Sequence, residues 1–345
     1  MASLNWSIKL WIIQLATAAA ATTSAFEPLP SNLTLNISSR PVLVQFPPCL
    51  NQINTTSSQL LLSLHALGAT AKLQRSMDHF ITFAEDDQRR GKMCAALVYP
   101  RGKLRAWGPL SLSGYAWNAG GCCPNSKGVD DVAFLSEVIQ QVRSILNSRR
   151  PTFTGTFIVG VSNGGMMVNR LACELNDTYL LGVSAVSGPL VLANGQNTKD
   201  ICDRTSHGLP PLPILPILHV HGLHDPIVPF GGCNSTWSSF GHACIVMHKL
   251  VKNLAPFPNI TKYVEGWRRR NGQKVDTPKI TTFVNRTVTC ESTGGTKDNV
   301  TLCTASQEGH AWPGATIGCM MPQLNCTQDV DASTIIWNFF ERLIV

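Results

Sequence analysis

The sequence predicts an α/β fold, a mostly parallel sheet with helices on both faces. Three observations carry the prediction. Strand-like and helix-like runs alternate along most of the 345 residues, the order that βαβ units produce. Residues 60–65 read as an apolar strand, as expected for a sheet buried on both sides. Third, a β-branched and aromatic run at residues 156–161 meets a Gly160-Val161-Ser162-Asn163-Gly164 turn. Beyond that turn Met167, Leu171 and Leu175 recur at helical spacing.

In chain order, residues 42–46 form a strand that Pro47-Pro48 ends. The strand at 60–65 runs into the small-residue turn Ala66-Leu67-Gly68-Ala69. Residues 77–90 look helical, and 95–99 make a strand ended by Pro100. Segment 101–128 mixes Gly, Pro and aromatic residues without a period and reads as a long functional loop. Asp130 or Asp131 caps a helix over 132–147. After the Ser162 turn and its helix comes a strand at 181–186. A Pro-rich passage at 210–216 leads to a strand at 217–221, and 226–260 is loop-like. A helix at 262–270, strands at 280–284 and 300–304, and a helix at 332–343 complete the chain. There is no internal repeat and no Ser/Thr/Pro linker, so a single catalytic domain over 26–345 is expected.

Charged residues make up only 14% of the chain, against roughly 25% in ordinary soluble domains. Glycans offer another source of solubility. Asn-x-Ser/Thr sequons stand at Asn32, Asn36, Asn54, Asn176, Asn234, Asn259, Asn285, Asn299 and Asn325. Lys9 precedes an apolar run at 10–21, and Thr23-Ser24-Ala25 supplies a cleavage site before Phe26, so residues 1–25 read as a signal peptide. That run is short for a membrane span. All 12 cysteines lie after it, an even number that fits disulfides in an oxidising compartment. A secreted, extracellular glycoprotein is expected, with no membrane partner in its mature form. The net charge of +7 is dispersed apart from Arg268-Arg269-Arg270, which reads as a solvated helix face; no nucleic-acid partner is implied.

A serine nucleophile needs an imidazole base and a carboxylate to orient it. Ser162 sits in a strand–turn–helix whose glycines let the chain fold back sharply. His221-Gly222-Leu223-His224-Asp225 follows an apolar strand and puts Asp225 at its C-terminal end. His310 lies in Gly309-His310-Ala311-Trp312-Pro313-Gly314, after a later strand. Catalytic groups in open α/β sheets collect at such ends, and the order Ser, Asp, His is that of α/β-hydrolases.

The resemblance becomes specific in Trp117-Asn118-Ala119-Gly120-Gly121-Cys122-Cys123, Val129-Asp130-Asp131-Val132, Ser162-Asn163-Gly164-Gly165-Met166-Met167, His221-Gly222 with Asp225-Pro226-Ile227-Val228-Pro229, and Gly309-His310-Ala311-Trp312-Pro313-Gly314. With Leu64-His65, these resemble the secreted polyhydroxybutyrate depolymerase and feruloyl-esterase-like group of α/β-hydrolases. The resemblance implies Ser162 as nucleophile, Asp225 as orienting acid and His310 as general base. By position, the N–H groups of Leu67 and Asn163 would form the oxyanion hole. Trp117 and Trp312 are candidates for the walls of the substrate cleft, with core packing as the alternative.

Two departures matter. The group usually has His-Gly where this chain has His65-Ala66, which would strain the loop if that position needs positive φ. It also commonly has a cysteine where Asn271-Gly272-Gln273 stands, so Cys290 would pair elsewhere, with Cys303 a candidate. Cys233 with Cys244 and Cys319 with Cys326 are further short-loop candidates, although spacing does not fix connectivity.

The expected function is that of a secreted serine carboxylesterase with no cofactor and no metal. Its ester substrates would be feruloyl-type esters on plant polysaccharide or hydroxyalkanoate oligomers. A serine peptidase on the same fold and a catalytically retired extracellular binding protein are the alternatives.

Overall fold

The computed structural model describes residues 27–52, 54–86, 93–107, 112–123, 128–148, 152–192, 202, 213–233, 255–274, 276–316 and 326–344. The parallel core strands are β3 (Ser57–Leu64), β4 (Ala95–Pro100), β7 (Thr152–Val161), β8 (Leu180–Val186), β9 (Ile217–Gly222) and β12 (Val300–Ala305). They stand in the order β4-β3-β7-β8-β9-β12. Antiparallel strands extend both edges: β1 (Asn32–Ile37) and β2 (Arg40–Gln45) beyond β4, β11 (Val288–Thr293) and β10 (Ile280–Val284) beyond β12. The result is a 10-stranded sheet with the strand order of an α/β-hydrolase.

The central strands are buried along most of their length; Leu60, Leu61, Leu62, Ile158 and Val159 have no solvent exposure. One apolar layer lies under α3 (Asp131–Asn147), α4 (Asn163–Glu174) and α5 (Ile260–Arg270). The other lies under α1 (Ala71–Asp78), α2 (Phe80–Ala84) and α6 (Ala332–Glu341). At roughly 25 cal/mol per Å² of apolar surface, these two layers are the main favourable term holding the fold.

Several boundaries differ from the sequence expectation. Of the helix expected at 77–90, the described part is α1 and α2, separated at His79, whose φ of 37° and ψ of 33° place it in the left-handed region; residues 87–90 lie outside the described residues. α1 starts earlier because the Thr70 hydroxyl accepts from the Leu73 N–H. The expected loop at 101–128 contains a two-stranded hairpin, β5 (Lys103–Trp107) with β6 (Leu112–Ala116). Asp130 is the cap of α3, accepting from the Ala133 N–H at 2.9 Å. Asp131 turns inward, fully buried, between Arg40 and Arg105 at 2.5 and 3.1 Å.

The Cys290–Cys303 bridge is present between β11 and β12, together with Cys49–Cys94, Cys173–Cys202 and Cys122–Cys123. Cys233 and Cys326 are also disulfide-bonded; Cys244 and Cys319, their expected partners, lie outside the described residues, as do the segment read as a signal peptide and the sequons at Asn234 and Asn325. Among the described residues, no helix is long and apolar enough to cross a membrane.

Candidate active site

The local sequence around Ser162 forces the backbone into an unusual turn. Ser162 has φ 54° and ψ −121°, a conformation costing on the order of 1–3 kcal/mol that surrounding structure must hold in place. The glycines make the turn sterically accessible. A Cβ on Gly160 would lie 2.6 Å from the Gly164 carbonyl carbon, and one on Gly164 would lie 2.3 Å from the Leu64 oxygen. Neighbouring backbone fixes the serine itself: its N–H donates to Val186 O at 2.8 Å, while its carbonyl accepts from Met166 N–H at 2.9 Å. The hydroxyl therefore stands at the C-terminal end of β7, over the start of α4.

Asp225 and His310 come from loops at the ends of neighbouring parallel strands, β9 and β12, where Ala305 is opposite Gly222. Those loops are stitched together. Leu223 N–H donates to Ala305 O at 2.9 Å, and His224 N–H to Glu308 O at 3.2 Å. Gly222 lets them approach, since a Cβ there would meet Glu308 O at 2.3 Å. The three side chains then form a continuous line: Ser162 Oγ to His310 Nε2 is 2.8 Å, and His310 Nδ1 to Asp225 Oδ2 is 2.8 Å. The other Asp225 oxygen accepts from the Ile227 and Val228 N–H groups, each at 2.8 Å.

The electrostatics follow from burial and partners. Burial alone would raise the Asp225 carboxyl, but His310, His221 and the Val228 N–H together outweigh it and hold the group below the ordinary carboxylate range. The carboxylate is thus ionised and pairs with the imidazole N–H, which leaves Nε2 to face the hydroxyl. Two residues away, burial pushes the Glu308 carboxyl up to about 7.

The two expected oxyanion donors lie at the same end of the sheet. Leu67 follows β3, whose Leu64 is opposite Gly160 of β7, and Asn163 opens α4. None of the hydrogen bonds among the described residues uses either N–H. The loop at 65–69 is held from several sides. His65 Nδ1–H donates to Ala66 O at 2.8 Å, and His65 Nε2 accepts from Gly102 N–H at 3.0 Å. Gly68 N–H reaches Tyr115 O at 2.8 Å. Burial lowers the His65 pKa to about 4, so it remains the neutral donor–acceptor that this arrangement needs. Positive φ occurs at Gly68 (77°) and not at Ala66. Alanine is therefore unstrained where the resembling group has glycine.

Trp117 and Trp312 are corrected by the structure. Both indoles have no solvent exposure and present no face to a substrate. Trp117 is a brace: its Nε1–H donates to His65 O at 2.9 Å, and its backbone is held by the Asn163 side chain. Trp312 donates to Ser333 Oγ at 3.0 Å and stands edge-on to Phe80. Sequence reading offered Asp131 only as an alternative helix cap and missed its other role: its Oδ2 accepts from Asn118 N–H at 2.6 Å and so anchors the loop after Trp117. The adjacent pair Asp130-Asp131 was its signal: one capping residue is enough, and the second carboxylate needs another use.

The chain has an α/β-hydrolase-type fold, with Ser162, His310 and Asp225 in a hydrogen-bonded line at the C-terminal edge of its sheet. Among known proteins, the chain is similar to feruloyl esterase B of Piromyces equi, 28% identical over 275 residues, covering 79% of this chain and 42% of that protein. The chain thus spans less than half the length of that curated relative. No protein-family model matches. Solved structures with similarity include siderophore hydrolase EstA from Aspergillus nidulans, with TM-score 0.46, 11% identity and coverage of 93% of this chain and 99% of that one. Another is LpqC, a poly(3-hydroxybutyrate) depolymerase from Bordetella parapertussis, with TM-score 0.41, 12% identity and coverage of 71% and 79%. The sheet order establishes the fold independently of these likenesses.

Proposed function

We propose that the protein is a secreted serine carboxylesterase, and that residues 26–345 act as one catalytic unit. The observation that carries this reading is the unbroken line from Ser162 Oγ through His310 to Asp225, with 2.8 Å at each step. Ser162 attacks the ester carbonyl as His310 Nε2 takes its proton, and Asp225 stabilises the imidazolium and fixes its tautomer. The N–H groups of Leu67 and Asn163 receive the developing oxyanion, a contribution of roughly 3–4 kcal/mol per donor in related chemistry. His310 then protonates the leaving alcohol. Water, activated by the same imidazole, releases the acid from the acyl-enzyme. Every step uses the chain's own residues.

The substrate class is carried by the likeness to a feruloyl esterase: feruloyl-type esters on polysaccharide, with hydroxyalkanoate oligomers as the second class. Secretion is supported by the disulfides and by the leader-like residues 1–25. Purified protein should be screened on aryl, feruloyl and hydroxybutyryl esters beside Ser162→Ala. Turnover of a feruloyl ester that requires Ser162 supports the proposal; absence of turnover on all three ester classes overturns it.

A further inference from the structure

The side of Asp225 away from His310 is not inert packing. β9 buries two histidines, His219 and His221, with no exposure at all. A strand alternates its side chains, so both point to the same face, and their rings stack at 5.2 Å. His221 Nε2 lies 2.8 Å from Val228 O and 3.5 Å from Asp225 Oδ2, the oxygen that also receives His310. A carbonyl only accepts, so the His221 proton resides on Nε2. Nδ1 must then accept, and it does so from His219 Nε2, 3.0 Å away. His219 Nδ1 is left without a hydrogen-bond partner among the described residues, as one end of a chain of neutral imidazoles can be. Burial lowers the pKa of both rings, which keeps them uncharged.

We propose that His221, oriented by His219, is a positioning residue for the triad: its Nε2–H holds Val228 O and faces Asp225 Oδ2, fixing the carboxylate that aims His310. This inference rests on the esterase reading above. Asp225 is otherwise held through Oδ1 by the N–H groups of Ile227 and Val228, two residues of its own loop. The His221–Val228 bond ties that loop back to the rigid sheet. Such a tie is the kind of support a catalytic side chain needs to keep its geometry within a fraction of an ångström. The other groups around this cluster are the Tyr263 ring, edge-on to His219 at 4.9 Å, the Phe230 ring against His221 at 5.9 Å, and the buried Glu308 carboxyl on the Asp225 side.

The test compares wild type, His221→Phe, His221→Gln and His219→Phe on one p-nitrophenyl ester, with near-ultraviolet circular dichroism as a check of folding. Phenylalanine keeps the ring and removes both nitrogens; glutamine can return an N–H. His221→Phe should lower kcat about tenfold with KM within about twofold, because the bond to Val228 O that anchors the Asp225 loop is lost together with the N–H dipole facing Oδ2. Removing a donor from the Asp225 side leaves more charge on Oδ2, so the acidic limb of kcat/KM against pH should move upward. His221→Gln should recover most of the loss, and His219→Phe should give a smaller loss in the same direction. A folded His221→Phe with wild-type kcat and pH profile overturns the inference, as does a loss that glutamine leaves unrelieved. If His221→Phe does not fold, an unchanged kcat and pH profile in His219→Phe overturns it instead. Ser162→Ala separates the two levels. Ser162-dependent turnover unaffected by His221 defeats only the positioning role, whereas turnover that survives Ser162→Ala defeats the esterase reading itself.

Discussion

Asn163 and Trp117 hold each other through two reciprocal hydrogen bonds: Asn163 Oδ1 accepts from the Trp117 N–H at 2.8 Å, and its Nδ2 donates to Trp117 O at 3.0 Å. The residue after the serine therefore locks the first turn of α4 to the loop that follows the β5–β6 hairpin. Asn163→Ala leaves a buried N–H and a buried carbonyl unpaired, which should cost about 2–4 kcal/mol. It should also lower kcat more than it raises KM, because the start of α4 carries a proposed oxyanion donor. Urea unfolding and steady-state kinetics on the same preparation check both. A stability change within about 0.5 kcal/mol would show that the clamp is incidental.

Ala66→Gly should bring no catalytic gain. Ala66 lies outside the positive-φ region, so glycine relieves no strain and only adds freedom to the unfolded chain, costing about 0.4–1 kcal/mol. Paired thermal melts and kcat values decide it. A higher kcat in the glycine variant would mean that alanine does distort the loop.

The stability contributed by Asp78 should fall as pH rises towards about 7. Asp78 is fully buried and accepts from Ser63 Oγ, Gln74 Nε2 and Tyr99 Oη, yet burial pushes its pKa up to about 7. Folding raises this pKa above that of the unfolded chain, about 3.9. The group's contribution is therefore complete below that value and is lost as pH climbs through about 7. Glu308 acts in the same direction. The buried His65, His219 and His221, whose pKa values are lowered, act in the opposite sense below about 6.5, so the readout is a difference: the melting temperature of wild type relative to Asp78→Asn should fall between about pH 5 and about pH 8. Equal slopes would remove Asp78 as a cause.

Bridges closing longer loops should matter more. Cys49–Cys94 spans 45 residues and Cys290–Cys303 spans 13. The chain-entropy model puts the difference at about 1 kcal/mol in favour of the first. Denaturant titration of the two paired Cys→Ser variants measures it, and a larger loss at Cys290–Cys303 would contradict it.

The parts of this molecule legible in the sequence are those where local rules and tertiary needs agree. Gly160 and Gly164 announced the turn because no other residue fits there, and Asp225 and His310 stood out at strand ends in a familiar order. Legibility failed where tertiary contacts override local preference. His79 interrupts a helical pattern by taking left-handed φ and ψ. β1 and β11 gain their structure as sheet extensions, which no short run of residues declares. Trp117 and Trp312 belong to recognisable motifs, but their burial depends on what folds over them. Asp131 acts through Arg40, 91 residues away in sequence, and His221 through Val228 across the turn that follows β9, contacts that only the assembled sheet sets up.

The most direct test of the account is the turnover of a p-nitrophenyl ester by Ser162→Ala against wild type at matched, folded concentration. The hydroxyl contributes chemistry and little packing, so the variant should unfold at nearly the wild-type temperature while kcat falls by about 10⁴-fold or more. Residual kcat near that of wild type would show that Ser162 is not the nucleophile.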